Sequence, residues 1–190
     1  MTSKQQILDQ IRQNLRPAAQ MPDFDALSHI QYEAPLAKFM EMVKVVGGHV
    51  ACLGPEDNMN DKIRELYPDA KVIASSLPGI DADKNPDIVD KPQELSDVDL
   101  GVLKGEVAVA ENGCVWVPQT MKERAVMFIS QCLVILVDRN SIVSNMHQAY
   151  EKIGNLSYGC FISGPSKTAD IAQALVMGAQ AARDVTVIII

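Results

Sequence analysis

A polar segment near the C-terminal end of the sequence, residues 163–170, carries residue types that bind small anions. It follows a predicted strand and opens a predicted helix over residues 168–177. The first turn of a helix presents unpaired backbone N–H groups and a partial positive charge, and both attract an anion. Lys167 adds a full positive charge. The residues predicted to bind the anion are Ser163, Gly164, Ser166, Lys167 and Thr168.

The same segment also has a purely structural interpretation. Ser166 or Thr168 can cap the predicted helix, and Asp170 can complement the helix dipole from its first turn. The carboxylate of Asp170 would also repel a bound anion. The spaced glycines of a Walker A phosphate loop are missing from this segment. The local sequence therefore leaves both interpretations open.

A second group of residues, Glu111, Asn112 and Gly113, places a carboxylate beside a predicted tight turn. A turn can fix a carboxylate at one angle to a cleft, where it can act as acid, base or nucleophile. We predict Glu111 as the catalytic candidate, with Asn112 and Gly113 contributing to ligand binding. The alternative is that Asn112 and Gly113 form the turn while Glu111 is a solvated residue at a strand end.

The cysteines and histidines predict no metal site. The four cysteines, at positions 52, 114, 132 and 160, lie in or beside apolar segments and form no CxxC pair. Isolated cysteines of this kind usually pack as small apolar side chains. The three histidines are scattered along the chain. The cofactor is unknown from the sequence, and the cysteine spacing fits no iron–sulfur cluster.

Strand-like and helix-like stretches alternate from residue 35 onward, which predicts right-handed crossovers and a mostly parallel sheet covered on both faces. Alternating apolar residues on either side of Asn112 and Gly113 predict a β-hairpin. The predicted fold class is α/β: a three-layer α/β/α sandwich with a mostly parallel sheet, a β-hairpin and an N-terminal helical arm. Strands are predicted at 49–53, 72–74, 100–103, 132–137, 160–162 and 185–190, and helices at 35–46, 56–67, 121–131, 141–153 and 168–177.

The predicted domains are an N-terminal helix with its connector, residues 1–34, and an α/β domain, residues 35–190. The first helix carries a narrow apolar stripe formed by Ile7, Leu8, Ile11 and Leu15. Such a stripe can pack on a partner subunit, and a homodimer is one expectation. Residues 75–96 are rich in proline and aspartate and are predicted to form a long loop, which is either functional or mobile.

Composition limits the classes of partner. The chain has 190 residues, 47% of them apolar, and a formal charge of −7. An acidic domain repels polyphosphate backbones, so nucleic acid is not an expected partner. No stretch approaches the roughly 20 apolar residues of a membrane span, and the N-terminal residues lack the apolar core of a signal peptide. The expected location is the cytoplasm, without a membrane partner.

The two polar segments together resemble the lactate utilization protein C family, also called the LUD domain family. Residues 163–171, followed by Leu175, Val176 and Gly178, resemble the family's Ser-Gly-Pro-Ser-basic-Thr-Ala-Asp-Ile run and its Leu-Val-x-Gly segment. Residues 110–113 resemble the centre of a second block that reads Ala-Glu-Thr-Gly in the family. The resemblance extends from about residue 35 to residue 190.

Three positions depart from the family pattern. Asn112 replaces the usual threonine, and Lys167 replaces the usual arginine, which keeps the charge but loses the planar guanidinium. Gln180 begins the stretch where the family usually has His-Gly-Pro. A histidine of the pocket is therefore missing, and its proton-transfer role does not carry over to this chain.

The resemblance implies the sugar-phosphate isomerase and CoA-transferase-like fold. It also implies a subunit or accessory protein in the oxidation of L-lactate to pyruvate, alongside iron–sulfur partner proteins. The expected ligand is a small anionic metabolite or cofactor. One alternative is an enzyme that uses Glu111, either a CoA-transferase or a sugar-phosphate isomerase, since Glu-Asn-Gly also surrounds the catalytic glutamate of some CoA-transferases. Another is a non-enzymatic module that binds iron–sulfur partners through its first helix and residues 75–96.

Overall fold

The computed structural model describes residues 2–15, 20, 22–23, 26–154, 158–168, 176–179 and 181–190. Strands and helices alternate along most of this length, which confirms the predicted α/β class. The helices are α1 (Ser3–Gln13), α2 (Pro35–Val45), α3 (Met59–Leu66), α4 (Val126–Ile129) and α5 (Met146–Ile153). The strands are β1 (His49–Cys52), β2 (Ile73–Ala74), β3 (Leu100–Lys104), β4 (Val107–Val109), β5 (Cys114–Pro118), β6 (Cys132–Val137), β7 (Ile142–Val143), β8 (Gly159–Ile162), β9 (Lys167–Thr168), β10 (Val176–Met177) and β11 (Asp184–Ile189).

The central sheet has five parallel strands in the order β1-β11-β6-β3-β2. Its central strand, β6, is a continuous apolar run because both faces of the sheet are covered. Along β6, Val134 packs in a cluster with Ile63 of α3, whereas Ile135 packs in a cluster with Phe39 of α2. Alternate residues of a strand point to opposite faces, so α2 and α3 cover opposite sides of the sheet. This arrangement agrees with the predicted sandwich.

A second sheet of four strands, in the order β7-β4-β5-β8, contains the predicted hairpin. Strands β4 and β5 pair antiparallel, with Val107 opposite Trp116 and Val109 opposite Cys114. Gly105 joins this sheet to the end of β3. A Cβ on Gly105 would lie 2.3 Å from Cγ1 of Val115, so the close approach of the two sheets requires glycine here.

Residues 75–96, predicted as a long loop, form a long connection that contains one short helix and several fixed contacts. The amide of Asp83 donates to the carbonyl of Ile73 at 2.8 Å. The Lys84 ammonium contacts the carbonyl of Glu94 and a carboxylate oxygen of Asp97. A short 3₁₀ helix over Pro92–Leu95 buries Leu95. These contacts fix the segment against the carboxyl end of β2.

Three predicted helices differ from the structure. The helix predicted over 121–131 is limited to α4, Val126–Ile129. The helix predicted over 141–153 begins at Met146 with Asn145 as its N-cap, because Ile142 and Val143 instead pair with β4. The prediction of a helix over 168–177 is wrong at both ends. Thr168 lies in β9 and Val176–Met177 form β10, and these two strands pair antiparallel. The central residues of that predicted helix, 169–175, lie outside the described residues.

The first helix, α1, has no buried residue within the described part of the chain. The apolar stripe predicted from its spacing is exposed, with Ile7 and Ile11 each more than half accessible. In the part of the chain that the structure describes, no helix has the length and apolar character needed to cross a bilayer. The predicted division at residue 34 and the predicted homodimer stay predictions.

Candidate functional site

The hairpin turn packs directly on helix α2. Gly113 has φ +65°, a left-handed conformation that favours glycine. A Cβ on Gly113 would lie 2.8 Å from the carbonyl carbon of Met42 and 2.9 Å from the amide nitrogen of Val43. The side chain of Asn112 accepts a hydrogen bond from the amide of Cys114 at 3.2 Å. The Asn-Gly pair therefore makes the turn and also allows its contact with the backbone of α2.

Glu111, the predicted catalytic carboxylate, contacts the N-terminus of helix α5. Its Oε1 accepts a hydrogen bond from the amide of Met146 at 2.8 Å, and its own amide donates to the carbonyl of Ser144 at 3.1 Å. Met146 is the first residue of α5. An anionic acceptor at this end of a helix satisfies an unpaired N–H group and matches the helix dipole. The carboxylate is therefore fixed in orientation, and its Oε2 has no hydrogen-bond donor among the described residues.

The two polar segments singled out from the sequence meet at one point. The hydroxyl of Ser163 donates to the carbonyl oxygen of Asn112 at 3.0 Å. Beside it, Gly164 has φ +65°, and a Cβ there would lie 2.6 Å from the carbonyl oxygen of Val46. The turn and the segment 163–168 thus both pack on the C-terminal half of α2 and its C-cap.

The side chain of Lys167 contacts the C-terminal end of α2 from the segment 163–168. Its ammonium group donates to the carbonyl oxygen of Val46, the C-cap residue of α2. A cation at this end of a helix matches the partial negative charge of the unpaired carbonyl groups. Nearby, the amide of Ser166 donates to the carbonyl of Ala182 at 2.8 Å, shortly before β11. The segment therefore lies near the amino ends of β1 and β11.

The structure brings some predicted residues together and separates others. Asn112, Gly113, Ser163, Gly164 and Lys167 all lie around the end of α2. Ser166 and Thr168 continue this segment, and Thr168 pairs with Val176 in a short ladder rather than capping a helix. Glu111 faces α5, and among the described residues no ion pair joins it to Lys167.

Two contributions to this site were missed from the sequence. The carbonyl of Val46 is a backbone group, and no pattern of residue types indicates it. Met146 follows Asn145, whose side chain accepts from the amide of Gln148 at 3.0 Å. An asparagine three residues before a glutamine is a recognisable helix start, and it could have shown that α5 begins beside the hairpin.

The reactivity of the Cys114 thiol tests whether the residue that follows the turn is buried. Burial raises the pKa of its thiol to about 12. At pH 8 the thiol should stay protonated and unreactive, while the exposed Cys52 is accessible. We expect labelling of the native protein with a maleimide at pH 8, followed by peptide mass spectrometry, to modify Cys52 at least tenfold faster than Cys114. Equal rates in the native protein would contradict this packing, and labelling in denaturant is the control.

Two cavities lie at the ends of strands of the central sheet, apart from the residues around the end of α2. One, of about 390 Å³, lies at the amino ends of β3, β6 and β11 and is lined in part by Tyr67, Cys132 and Arg183. The other, of about 270 Å³, lies at the carboxyl ends of β2 and β3. Within the described residues, no group of three histidine, cysteine or carboxylate side chains is arranged to hold a metal ion.

Comparison with known proteins identifies the family. The model of the LUD domain matches residues 80–190, more than half of the chain. The chain belongs to the LUD domain family. The predicted family is therefore confirmed, and the matched range contains both polar segments.

One known protein resembles this LUD domain in sequence and another in fold. Lactate utilization protein C from Shouchella clausii (strain KSM-K16) is 32% identical over 88 residues, 42% of this chain and 38% of that protein. The chain therefore matches well under two thirds of the length of that relative. The crystal structure of a DUF162 family protein from Deinococcus radiodurans matches with a TM-score of 0.61 at 15% identity. The match covers 82% of this chain and 95% of the other, and at this identity it shows a shared fold.

Proposed function

We propose that this LUD domain is a lactate utilization protein C-like subunit or accessory protein in the oxidation of L-lactate to pyruvate. It binds a small anionic metabolite or cofactor around the end of α2, at residues 112–113 and 163–168. The relative from Shouchella clausii is named Lactate utilization protein C, and this name supports the choice of reaction. The proposed location is the cytoplasm, where cysteines such as Cys52 stay reduced.

The hydrogen bond from Ser163 to the carbonyl of Asn112 is the observation that carries the proposal. It joins the two segments of the family pattern, although 51 positions separate them in the sequence. Lys167 lies in the same segment and is exposed. An ammonium group has three donors, and one of them is used at Val46. The remaining donors are the ones proposed to bind the carboxylate or phosphate of the ligand.

The electrons released by lactate oxidation indicate which steps are proposed for this chain and which for its partner proteins. L-lactate releases two electrons and two protons when it becomes pyruvate. The cysteines of this chain lack the spacing that iron–sulfur ligation requires, so the electrons are proposed to pass to iron–sulfur partner proteins. Glu111 is the proposed acid or base, because α5 fixes its carboxylate while Oε2 stays available.

Binding of pyruvate and of coenzyme A tests the anion site. We expect isothermal titration calorimetry to show that the wild type binds at least one of them and that Lys167→Ala weakens this binding about tenfold, as for the loss of one charge-assisted contact. The matched control is Lys44→Ala, which removes another cation from the last turn of α2. No binding by the wild type, or equal binding by Lys167→Ala, would contradict the anion site.

Growth on L-lactate tests the reaction itself. In the source organism, deletion of the gene should abolish growth on L-lactate as the only carbon source and leave growth on pyruvate unchanged. A plasmid copy of the wild type should restore growth, and the Lys167→Ala copy should restore it poorly. Normal growth of the deletion strain on L-lactate would exclude the proposed reaction, and loss of growth on both substrates would point to another function.

A further inference from the structure

The outer side of β1, an edge strand of the central sheet, carries unpaired backbone groups. The amide of Leu53 donates to the carbonyl of Ile189 at 2.8 Å, and alternate residues of β1 therefore turn their N–H and C=O groups toward β11. The backbone groups of Val50 and Cys52 point the other way. Among the described residues these groups make no hydrogen bond, and an edge of this kind can pair with a further strand.

The opposite edge of the central sheet is protected, whereas β1 is not. At that edge β2 has only two residues, and a bridge between Ala74 and Lys84 occupies its outer side. The amides of Asp83 and Lys84 both donate to the carbonyl of Ile73. Proteins protect exposed edges with short strands, lysine, proline or bulges. Strand β1 reads His-Val-Ala-Cys, pairs with β11 without a bulge and has none of these features.

The outward groups of β1 are complementary to those of a second copy placed antiparallel. With a two-fold axis at Ala51, Val50 of each copy lies opposite Cys52 of the other. The two residues of such a pair exchange both of their backbone hydrogen bonds, so all the outward groups of Val50 and Cys52 are satisfied. A two-fold axis brings the same surface of both copies together, so no other segment is needed to complete the pairing.

Charges at the two ends of β1 favour this antiparallel arrangement. Lys44 is an exposed cation in the last turn of α2, shortly before β1 begins. Glu56 and Asp57 are exposed carboxylates shortly after β1 ends. Antiparallel pairing brings the amino end of one β1 beside the carboxyl end of the other, so opposite charges meet at both ends of the interface. This attraction offsets the overall repulsion between two chains of formal charge −7.

We infer that β1 binds a second copy of this chain in the antiparallel direction, so that the two central sheets form one continuous sheet across a two-fold axis. The pairing uses outward backbone groups. Val50 therefore keeps its packing on the cluster that contains Phe39 of α2, and Ala51 keeps its packing on the cluster that contains Ile63 of α3. This inference goes beyond the proposed function and uses none of the residues proposed to bind the anion. It also differs from a dimer formed through the exposed stripe of α1.

Light scattering during size-exclusion chromatography tests this interface. The wild type should have twice the mass of one chain. Cys52→Lys should raise the dissociation constant of the dimer at least about tenfold, because a lysine on an edge strand opposes pairing and the axis places like charges near each other. Cys52→Ser adds no charge and should stay dimeric, and circular dichroism reports whether each variant is folded. A monomeric wild type, or an unchanged dissociation constant for Cys52→Lys, would overturn the inference.

Disulfide formation tests the register without adding a charge. The axis places residue 51 of one copy directly opposite residue 51 of the other, with Cα atoms about 4.5 Å apart, within the range of disulfides. In a Cys52→Ser background, Ala51→Cys should therefore form covalent dimers on oxidation with diamide, as seen by non-reducing electrophoresis. The control is His49→Cys in the same background, whose two copies would lie more than about 13 Å apart. Equal cross-linking of the two variants, or none with Ala51→Cys, would overturn the inference.

Discussion

Replacing Phe39 with alanine is expected to lower the free energy of unfolding by about 3–5 kcal/mol. Phe39 is fully buried on α2 and packs against the apolar face of the central sheet. Its loss leaves a cavity under the helix that both polar segments contact. The free energy of unfolding in urea, followed by circular dichroism, measures the effect.

The control for this prediction is Phe128→Ala. Phe128 is 39% exposed on α4. Its replacement should therefore lower the free energy of unfolding by well under half of the loss expected for Phe39→Ala. The buried position should also tolerate Phe39→Leu better than Phe39→Ala, because leucine leaves a smaller void. A loss below about 1 kcal/mol for Phe39→Ala would show that α2 does not pack as described.

Replacing Gly113 with alanine is expected to cost about 2–4 kcal/mol of unfolding free energy. Part of this is the left-handed conformation at φ +65°, which costs most other residues about 1–2 kcal/mol. The rest is the collision of the new Cβ with the backbone of Met42 and Val43, which are in a helix and cannot move independently. The variant should also bind pyruvate or coenzyme A more weakly, because the turn would shift away from α2.

Gly79→Ala provides a control for this collision. Gly79 has φ +84°, and a Cβ there would have no neighbour within 4 Å among the described residues. This substitution should therefore lower the free energy of unfolding only by the conformational part, about 1 kcal/mol. Equal losses of unfolding free energy at the two positions would contradict the contact between the turn and α2.

The elements that could be predicted are those whose structure depends on residues close together in the sequence. The apolar run of β6 and the Asn-Gly turn of the hairpin were both predictable, because a buried parallel strand and a tight turn each need particular residues in sequence order. The class of fold followed from their alternation with helices. The family pattern in residues 110–113 and 163–171 added the identity of the domain.

Long-range pairing decided the elements that were predicted wrongly. Ile142 and Val143 fit a helical pattern that continues into α5, but pairing with β4 draws them into the second sheet. Lys167 was expected at a helix N-terminus, whereas β9 begins there and its ammonium contacts the opposite end of another helix. Such contacts depend on tertiary packing, which overrides local propensity.

Hydrogen exchange upon ligand addition tests the central claim most directly. The claim is that residues 112–113 and 163–168 form one binding site at the end of α2. In saturating pyruvate or coenzyme A, mass spectrometry should show slower exchange in peptides covering both segments, with the same dependence on ligand concentration. Protection of one segment alone, or protection confined to residues 100–106, would contradict it.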